Sequence, residues 1–403
     1  MDAQQARRII ECLRSGVSSL ETANVLTVGR EQLVTAINEH FRAVRQNSKS
    51  EHLIVEGAYG QGKTHILNKI ESMALQQNFA VSRVVAGRES PLGRIDNFYQ
   101  RLVRSLVLPD RPNDHGVKVF LDKIAVHRQG GPYDAWMLWV RDQGYTRLYN
   151  LLQSYYEVRT DDPEPFYEEI EGTPVPISDL KRSLKIAQGT PRLRLSDYWG
   201  YLRAISQAIH LFGYAGWVIL IDEAELIQGL SLSQRIKAYE TLARLWGLIP
   251  NQSLPGSYTV VSFARSFYSF MQDRDESGRV RQSLLGKGLQ DYWSIIGEVL
   301  ERLETEKHEL NPLSWDDYSR LLDEVLGIYR QAYGFTTTVD RERLLQLAVG
   351  ETRPVRTLVR TAIQYLDLRM QYPDEDPLAL LQVGLADEGE IGEEIAVGLE
   401  RDL

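Results

Sequence analysis

The alternation of apolar and polar residues has a helical period in the first segment of the chain. Over residues 3–14 the apolar positions recur at a spacing that predicts a helix with one apolar face. That face is formed by Ala6, Ile9, Ile10 and Leu13. A second, short helix is expected over 18–26, and the segment 27–44 predicts a turn followed by an amphipathic helix.

Four short apolar runs predict buried strands rather than helices. They are "HLIVEG" at 52–57, "FAVSRVVAG" at 79–87, "GWVILIDEAELI" at 216–227 and "SYTVVSFARS" at 257–266. A glycine-rich loop and a helical segment at 63–77 separate the first two runs. Strand, loop, helix and strand in this order form a βαβ unit, so the predicted fold class is α/β with a parallel sheet.

The remaining helical patterns predict how the chain is divided into domains. About 125 residues separate the second strand from the third, far more than the dozen or so that one crossover helix needs. Their patterns are mainly helical, and three amphipathic helices follow residue 313. The predicted parts are an N-terminal helical segment at 1–24, a core at 25–310 with a helical insertion at about 105–195, a C-terminal helical lid domain at 311–385 and an acidic tail at 386–403.

Composition and charge narrow the class of protein. The 403 residues are 43% hydrophobic and 25% charged, which is ordinary for a soluble globular protein. No apolar run is long enough for a membrane span, and the charged N-terminus lacks the apolar centre of a signal peptide, so we expect a cytoplasmic protein. The net charge of −9 is not that of an overall basic nucleic-acid-binding protein. It does not exclude a local basic patch. A single cysteine, Cys12, excludes an internal disulfide.

The loop after the first strand carries the strongest chemical signal. Its residues fit the pattern GxxxxGK[ST] at every fixed position, between a predicted strand and a predicted helix. Glycines let backbone N–H groups turn toward phosphate oxygens, Lys63 is placed for the β- and γ-phosphates, and the Thr64 hydroxyl is a ligand for Mg²⁺. The predicted ATP-binding stretch comprises Gly57, Ala58, Tyr59, Gly60, Gln61, Gly62, Lys63, Thr64 and His65. For the side chain of His65, packing is favoured over catalysis.

Two acids follow the third predicted strand. Asp222 is placed to hold Mg²⁺ directly or through water, and Glu223 to act as the base for an attacking water. Acids at a strand end also cap helices, but their combination with a P-loop favours hydrolysis over passive binding. Glu225 is expected to be a surface or helix-start residue.

Further polar residues are candidates to complete the site. Arg265 at the end of the fourth strand is the first candidate to contact the γ-phosphate or the attacking water, and Ser262 is the second. Arg353 opens a helix of the C-terminal domain and is a candidate to reach back to the γ-phosphate. The alternatives are simple strand termination for the first two and an exposed helix-start arginine for the third. Seven aromatic residues between 133 and 156 are expected to form a packed core or a protein interface rather than a stacking surface for bases.

These motifs, together with the turn Val28-Gly29-Arg30-Glu31 and a helical segment starting "GETRP", resemble those of AAA+ ATPases of the origin-recognition/STAND-like branch. The resemblance implies that Val28 and Gly29 contact adenine and that residues 350–353 form the second sensor. The strand end "FARS" replaces the small-residue or threonine end of the family pattern at the position of the first sensor. The family also implies a homo-oligomer with an arginine finger given in trans. Arg302 is the first candidate for that finger, with Arg274, Arg279 and Arg281 as rivals.

Within that group, "RRIIECLRSGVSS", "EGAYGQGKTHIL" and "LIDEAELI" followed by "RIKAYETLARL" resemble the ATP-binding proteins of bacterial BREX-type anti-phage systems. This likeness covers roughly residues 5–370 and implies partner proteins such as a nuclease, helicase or methyltransferase. The expected function is an ATP-hydrolysing motor or switch in defence against foreign DNA. The alternatives are a regulatory scaffold with little turnover and an initiator-like ATPase whose arginines at 341–360 contact DNA.

Overall fold

The computed structural model describes residues 1–87, 92–126, 131–157, 162–349, 355–379 and 381. Contacts between these residues divide them into two compact units. Unit 1 consists of Met1–Glu31, Tyr59–Lys69 and the described residues from Leu310 onward. Unit 2 consists of Gln32–Ala58 and Ile70–Glu309 and contains every strand of the sheet.

The strands are β1 (Glu51–Gly57), β2 (Ala80–Val85), β3 (Val107–Leu108), β4 (Arg111–His115), β5 (Trp217–Asp222), β6 (Ser257–Ala264) and β7 (Lys307–Glu309). The helices up to β5 are α1 (Ala3–Arg14), α2 (Leu20–Val25), α3 (Glu31–Asn47), α4 (Lys63–Gln76), α5 (Ile95–Arg104), α6 (Val117–Val126), α7 (Gly131–Asp142), α8 (Thr146–Glu157), α9 (Glu164–Ile170), α10 (Ile177–Leu184) and α11 (Asp197–Leu211). The later helices are α12 (Leu232–Leu245), α13 (Ser266–Phe270), α14 (Arg279–Gly286), α15 (Gln290–Thr305), α16 (Trp315–Tyr333), α17 (Arg341–Val349) and α18 (Val355–Gln371). A 3-10 turn at Ala224–Gly229 follows β5, and a π-helical turn at Met271–Glu276 follows α13.

The sheet has the order β4-β3-β2-β5-β6-β1-β7. Five neighbouring strands of the sheet run parallel, namely β2, β5, β6, β1 and β7. The α/β class and the parallel sheet predicted from the sequence are therefore confirmed. β5 and β6 are buried along almost their whole length, which explains why both are largely apolar runs. The strand β1 lies between β6 and β7, both of which come much later in the chain.

A short antiparallel hairpin extends the sheet beyond β2. β3 pairs with β2, and β4 pairs with β3, inside a region that the sequence predicted to be mainly helical. The prediction missed the hairpin because all five residues of β4 are exposed, so the strand has no apolar face to alternate with a polar one. The rest of the region, from α6 to α10, is helical as predicted.

The aromatic residues of the helical region belong to the core of unit 2. Tyr133, Trp136 and Tyr156 are buried, and the other four aromatic residues predicted with them pack against the same core. Within this core the Tyr155 and Phe166 rings stack with 3.9 Å between their centroids. The prediction that these side chains pack rather than present a surface for bases is therefore confirmed.

A buried ion pair joins two helices of this region. The Nε atom of Arg147 in α8 donates to Oε1 of Glu169 in α9 over 2.6 Å, and both side chains are almost fully buried. Oε2 of Glu169 accepts the backbone N–H of Val175 at 3.0 Å, while Arg147 also donates to the Pro191 carbonyl. Each charge is thus compensated by hydrogen bonds, as a buried pair requires.

Replacing Glu169 by alanine is expected to lower the free energy of unfolding by about 3–5 kcal/mol, because it leaves a buried guanidinium without its carboxylate. Equilibrium urea denaturation measures the change. The exposed neighbour Glu168 provides a matched control, Glu168→Ala, with an expected change within about 0.5 kcal/mol. Equal effects of the two substitutions would contradict the role assigned to the pair.

Unit 1 has a helical core of its own. The four residues predicted to form the apolar face of α1 are all buried there, which confirms that prediction. α1 packs against α16 and α18, so the N-terminal helix and the three predicted C-terminal helices share one core. Within the described ranges, no helix is both long and apolar enough to cross a membrane.

Candidate functional site

The carboxyl ends of three adjacent parallel strands of unit 2 bring the predicted site residues to one edge of the sheet. Gly57, where the P-loop begins, is the last residue of β1 and pairs with Ala264 in β6. β5 lies on the other side of β6 and ends at Asp222. In open parallel sheets this edge is where ligands bind.

The tip of the P-loop and the first turn of α4 belong to unit 1. Gly60 and Gly62 have φ angles of 75° and 93°, in the left-handed region that a side chain disfavours, so the loop needs glycine at both positions. α4 then begins at Lys63, with Thr64 exposed in its first turn. The first backbone N–H groups of a helix have no partner within the helix and attract anions, so this turn is suited to bind phosphate.

His65 connects the P-loop helix to the segment around α2. The Thr27 hydroxyl donates to the Ala23 carbonyl at 2.6 Å, so it accepts from Nε2 of His65, which lies 3.1 Å away. Nδ1 therefore carries no proton and accepts from the Ser18 hydroxyl, also at 3.1 Å. The Ser18 hydroxyl in turn accepts from Asn68, one helical turn beyond His65. The imidazole is thus fixed as a single neutral tautomer by contacts within unit 1, and its packing role stays a prediction.

Burial of the ring, together with the nearby charges of Lys69 and Arg30, lowers the pKa of His65 to about 4. A histidine in an unfolded chain protonates near pH 6.5, so between these values the folded state binds fewer protons than the unfolded state. The contribution of His65 to stability is therefore complete above about pH 6.5 and is lost as the pH falls toward 4.

Between pH 7.5 and pH 5 the free energy of unfolding of the wild type should fall. In His65→Gln we expect this fall to be smaller by about 1–2 kcal/mol. Urea denaturation at the two pH values measures this difference. The wild type, measured in parallel at both pH values, provides the reference. If the unfolding free energy of His65→Gln fell by as much as that of the wild type, His65 would be protonated as easily in the folded state as in the unfolded chain.

Asp222 is a buried carboxylate with defined donors. It is 4% exposed, and its Oδ1 accepts the Ser262 hydroxyl at 2.6 Å. Its Oδ2 lies 3.0 Å from the guanidinium of Arg83 in β2. Arg83 also lies 3.7 Å from Glu71 in α4. Both oxygens of the Asp222 carboxylate are therefore held in place at the carboxyl edge of the sheet.

Glu223, the next residue, is exposed and has an unusual backbone conformation. Its φ angle of 57° places it in the left-handed region, which is uncommon for a residue with a side chain. Its N–H group is shared between Oδ1 of Asp222 at 3.1 Å and the Ser262 hydroxyl at 3.3 Å. Strained backbone of this kind often occurs at functional sites, where surrounding contacts maintain it.

Arg265 is anchored at the end of the first strand. Its Nε donates to Oε1 of Glu56, a buried residue that directly precedes the P-loop, over 3.0 Å. Lys307 in β7 lies 2.8 Å from the second oxygen of Glu56. The Arg265 side chain is nevertheless 53% exposed, and its contact with phosphate remains a prediction.

The other predicted residues lie in several parts of the structure. Gly29 has a φ angle of 68°, and a Cβ atom there would approach Asp317 to 2.8 Å, so the turn that contains Val28 requires this glycine. Arg302 in α15 pairs with Glu298 at 2.8 Å. Arg353, with the rest of the predicted second sensor, lies outside the described residues, as does the acidic tail.

The basic segment proposed for DNA contact is partly neutralised within unit 1. Arg341 lies 2.8 Å from Asp323, and Arg343 lies 3.7 Å from Asp376. Arg356 in α18 lies over the ring of Tyr59 at the tip of the P-loop, 5.8 Å from its centroid. These pairings favour an ordinary solvated helical face over a dedicated nucleic-acid surface.

Sequence reasoning did not identify Arg83 and Glu56. Each is a charged residue that directly follows or interrupts an apolar run within its strand, which is the signal that could have marked them. Glu225, expected to be a surface or helix-start residue, is only partly exposed and accepts the backbone N–H of Ala264 at 3.0 Å.

The donor set fits Mg²⁺ bound together with a nucleotide rather than a metal held by protein alone. Within the part of the chain that the structure describes, no group of three or more His, Cys, Asp or Glu side chains is arranged to hold a metal ion. Mg²⁺ commonly takes one or two protein oxygens and completes its shell with phosphate and water. Asp222, a carboxylate at the carboxyl edge of the sheet, suits that mode.

Comparison with known proteins adds two findings. A family model described as "BREX system ATP-binding protein BrxC/D" matches residues 1–128 and 166–384. Among solved structures, the chain is similar to the Aeropyrum pernix ORC1 protein in complex with DNA, with a TM-score of 0.40 and 11% identity over 90% of this chain. The chain spans 66% of the length of that protein's chain. No match is found among curated proteins.

Proposed function

We propose that this chain, which belongs to the BREX system ATP-binding protein BrxC/D family, not only binds ATP but hydrolyses it, as a motor or switch within its defence system. ATP binding and the α/β P-loop fold of AAA+ type follow from the family and the sheet. The observation that carries hydrolysis is Glu223. An exposed carboxylate directly follows the buried Asp222, with its main chain held by defined hydrogen bonds.

The roles of the P-loop residues follow from the motif. Backbone N–H groups from Gly57 to Gly62 bind the phosphates, and Lys63 neutralises charge on the β- and γ-phosphates. The family resemblance, rather than the motif, implies that Val28 and Gly29 contact adenine. Thr64 and Asp222 would hold Mg²⁺, which when bound neutralises charge that develops on the phosphate oxygens.

In the proposed reaction Glu223 accepts a proton from a water molecule whose oxygen attacks the γ-phosphorus. The bond between the γ-phosphorus and the bridging oxygen of ADP breaks, and the products are ADP and phosphate. Ser262 supports this step by orienting Asp222 and the N–H group of Glu223. Arg265, fixed through Glu56, is proposed to contact the γ-phosphate.

We further propose that the chain works as a homo-oligomer together with other proteins of the defence system. Arg302 and Arg353 are the proposed arginines of the finger and the second sensor. The exposed position of Glu223 is compatible with a site that another copy completes. A nuclease, helicase or methyltransferase is the proposed kind of partner.

The experiment that tests hydrolysis is phosphate release from ATP and Mg²⁺ by the purified protein, alone and with DNA, compared with Glu223→Gln. Turnover that depends on Glu223 supports the proposal. Binding of ATP with equal, background release by both proteins would instead assign the chain to the class of nucleotide-dependent scaffolds.

A further inference from the structure

β5, the strand that ends in Asp222, stops before the end of its neighbour β6. The last paired residues of β5 and β6 are Ile221 and Val261, yet β6 continues to Ala264. The chain leaves the sheet at Glu223 and enters the 3-10 turn. Beyond Val261, β5 therefore supplies no further main-chain partner to β6, and buried N–H groups need partners from elsewhere.

The side chain of Glu225 takes the place of the missing strand. Its Oε2 accepts the N–H group of Ala264 at 3.0 Å, two residues beyond Ser262 on the same strand. The Ser262 hydroxyl in turn donates to Oδ1 of Asp222 at 2.6 Å. The turn from Asp222 to Glu225 is thus attached to β6 at both of its ends, and Glu223 lies between the two attachments.

We propose that Glu225 is a positioning residue for Glu223, an inference that rests on the proposed hydrolysis. The left-handed backbone of Glu223 is unfavourable for a residue with a Cβ atom, so contacts such as these two attachments must maintain it. Loss of the Glu225 attachment lets the turn relax toward a right-handed conformation. The Glu223 carboxylate then leaves the position from which it takes a proton from water. The phosphate-binding loop is not part of this turn, and Asp222 keeps its contacts with Ser262 and Arg83, so we expect ATP affinity to be unaffected.

Single-turnover hydrolysis of ATP and equilibrium ATP binding, measured on the full chain, test this role. We expect Glu225→Ala to slow the chemical step by about 10- to 100-fold, part of what a positioned base contributes, with ATP affinity within about twofold of the wild type. Glu225→Gln retains an oxygen that accepts the Ala264 N–H, so its rate should be within about threefold of the wild type. Glu301→Ala removes an exposed glutamate from α15 and should change neither quantity.

A double substitution separates positioning from a general structural effect. With Glu223→Gln already present, Glu225→Ala should not slow the residual reaction further, because the group that it positions is absent. The inference is overturned if Glu225→Ala hydrolyses ATP at the wild-type rate, if Glu225→Gln is as slow as Glu225→Ala, or if the two substitutions act independently. If the wild type itself shows no turnover above Glu223→Gln, the proposed hydrolysis fails and this inference fails with it.

Discussion

Replacement of Lys63 by alanine is expected to abolish ATP binding, with an affinity at least about 100-fold below that of the wild type. Lys63 begins α4 directly after a loop in which Gly60 and Gly62 have left-handed backbone. An ammonium group at this point carries the positive charge that the triphosphate meets in a P-loop, and alanine removes it without changing the loop glycines. Isothermal titration of ATP into the purified variant measures the loss.

Lys69 offers a matched control for that measurement. It is a lysine of the same helix, six residues beyond Lys63, and Lys69→Ala should bind ATP within about twofold of the wild type. Equal loss of affinity in both variants would point to a weakened helix. Undiminished binding by Lys63→Ala would mean that the glycine-rich loop is only a connection between β1 and α4.

Glu223→Gln is expected to bind ATP as the wild type does and to hydrolyse it about 10²- to 10⁴-fold more slowly, which is the range that a general base contributes. Glutamine has nearly the same shape as glutamate but cannot take a proton from the attacking water. The contacts of the Glu223 N–H group with the side chains of Asp222 and Ser262 use only the main chain of Glu223 and are retained. The variant should therefore accumulate as an ATP complex, which nucleotide extraction after incubation detects.

Glu301→Gln, which changes an exposed acid of α15 in the same way, should keep wild-type turnover. A reduction in both variants would reflect a general effect of charge. If Glu223→Gln released phosphate as fast as the wild type, another group would have to act as the base, and the exposed left-handed residue would need a different explanation.

The strands of the fold could be predicted from the sequence because burial on both faces leaves a uniform apolar run. This held for β1, β2, β5 and β6, and the helical period located α1 and the three C-terminal helices equally well. The hairpin of β3 and β4 had no such signal. Its outer strand is exposed at every residue, and its pairing is determined by neighbours in space rather than by its own pattern.

The P-loop and the contacts of Asp222 differ in how much of them the sequence reveals. A P-loop is a continuous stretch, so its residues can be recognised from their spacing alone. The contacts of Asp222 join residues far apart in the chain: Arg83 is 139 positions away and Ser262 is 40 positions away. The contact between Glu225 and Ala264 likewise depends on where β5 ends relative to β6, which no local pattern records.

The polar strand β4 has a consequence for how copies of this protein associate in a crowded cell. An outermost strand offers unpaired backbone groups on which strands of other molecules can be added, the first step toward aggregation. β4 opposes this addition because Pro112 has no N–H to donate and because the same strand carries the charged Arg111 and Asp114. At the opposite edge β7 is only three residues long, too short to template much pairing. Neither edge of the sheet is therefore suited to pairing with a strand of another molecule.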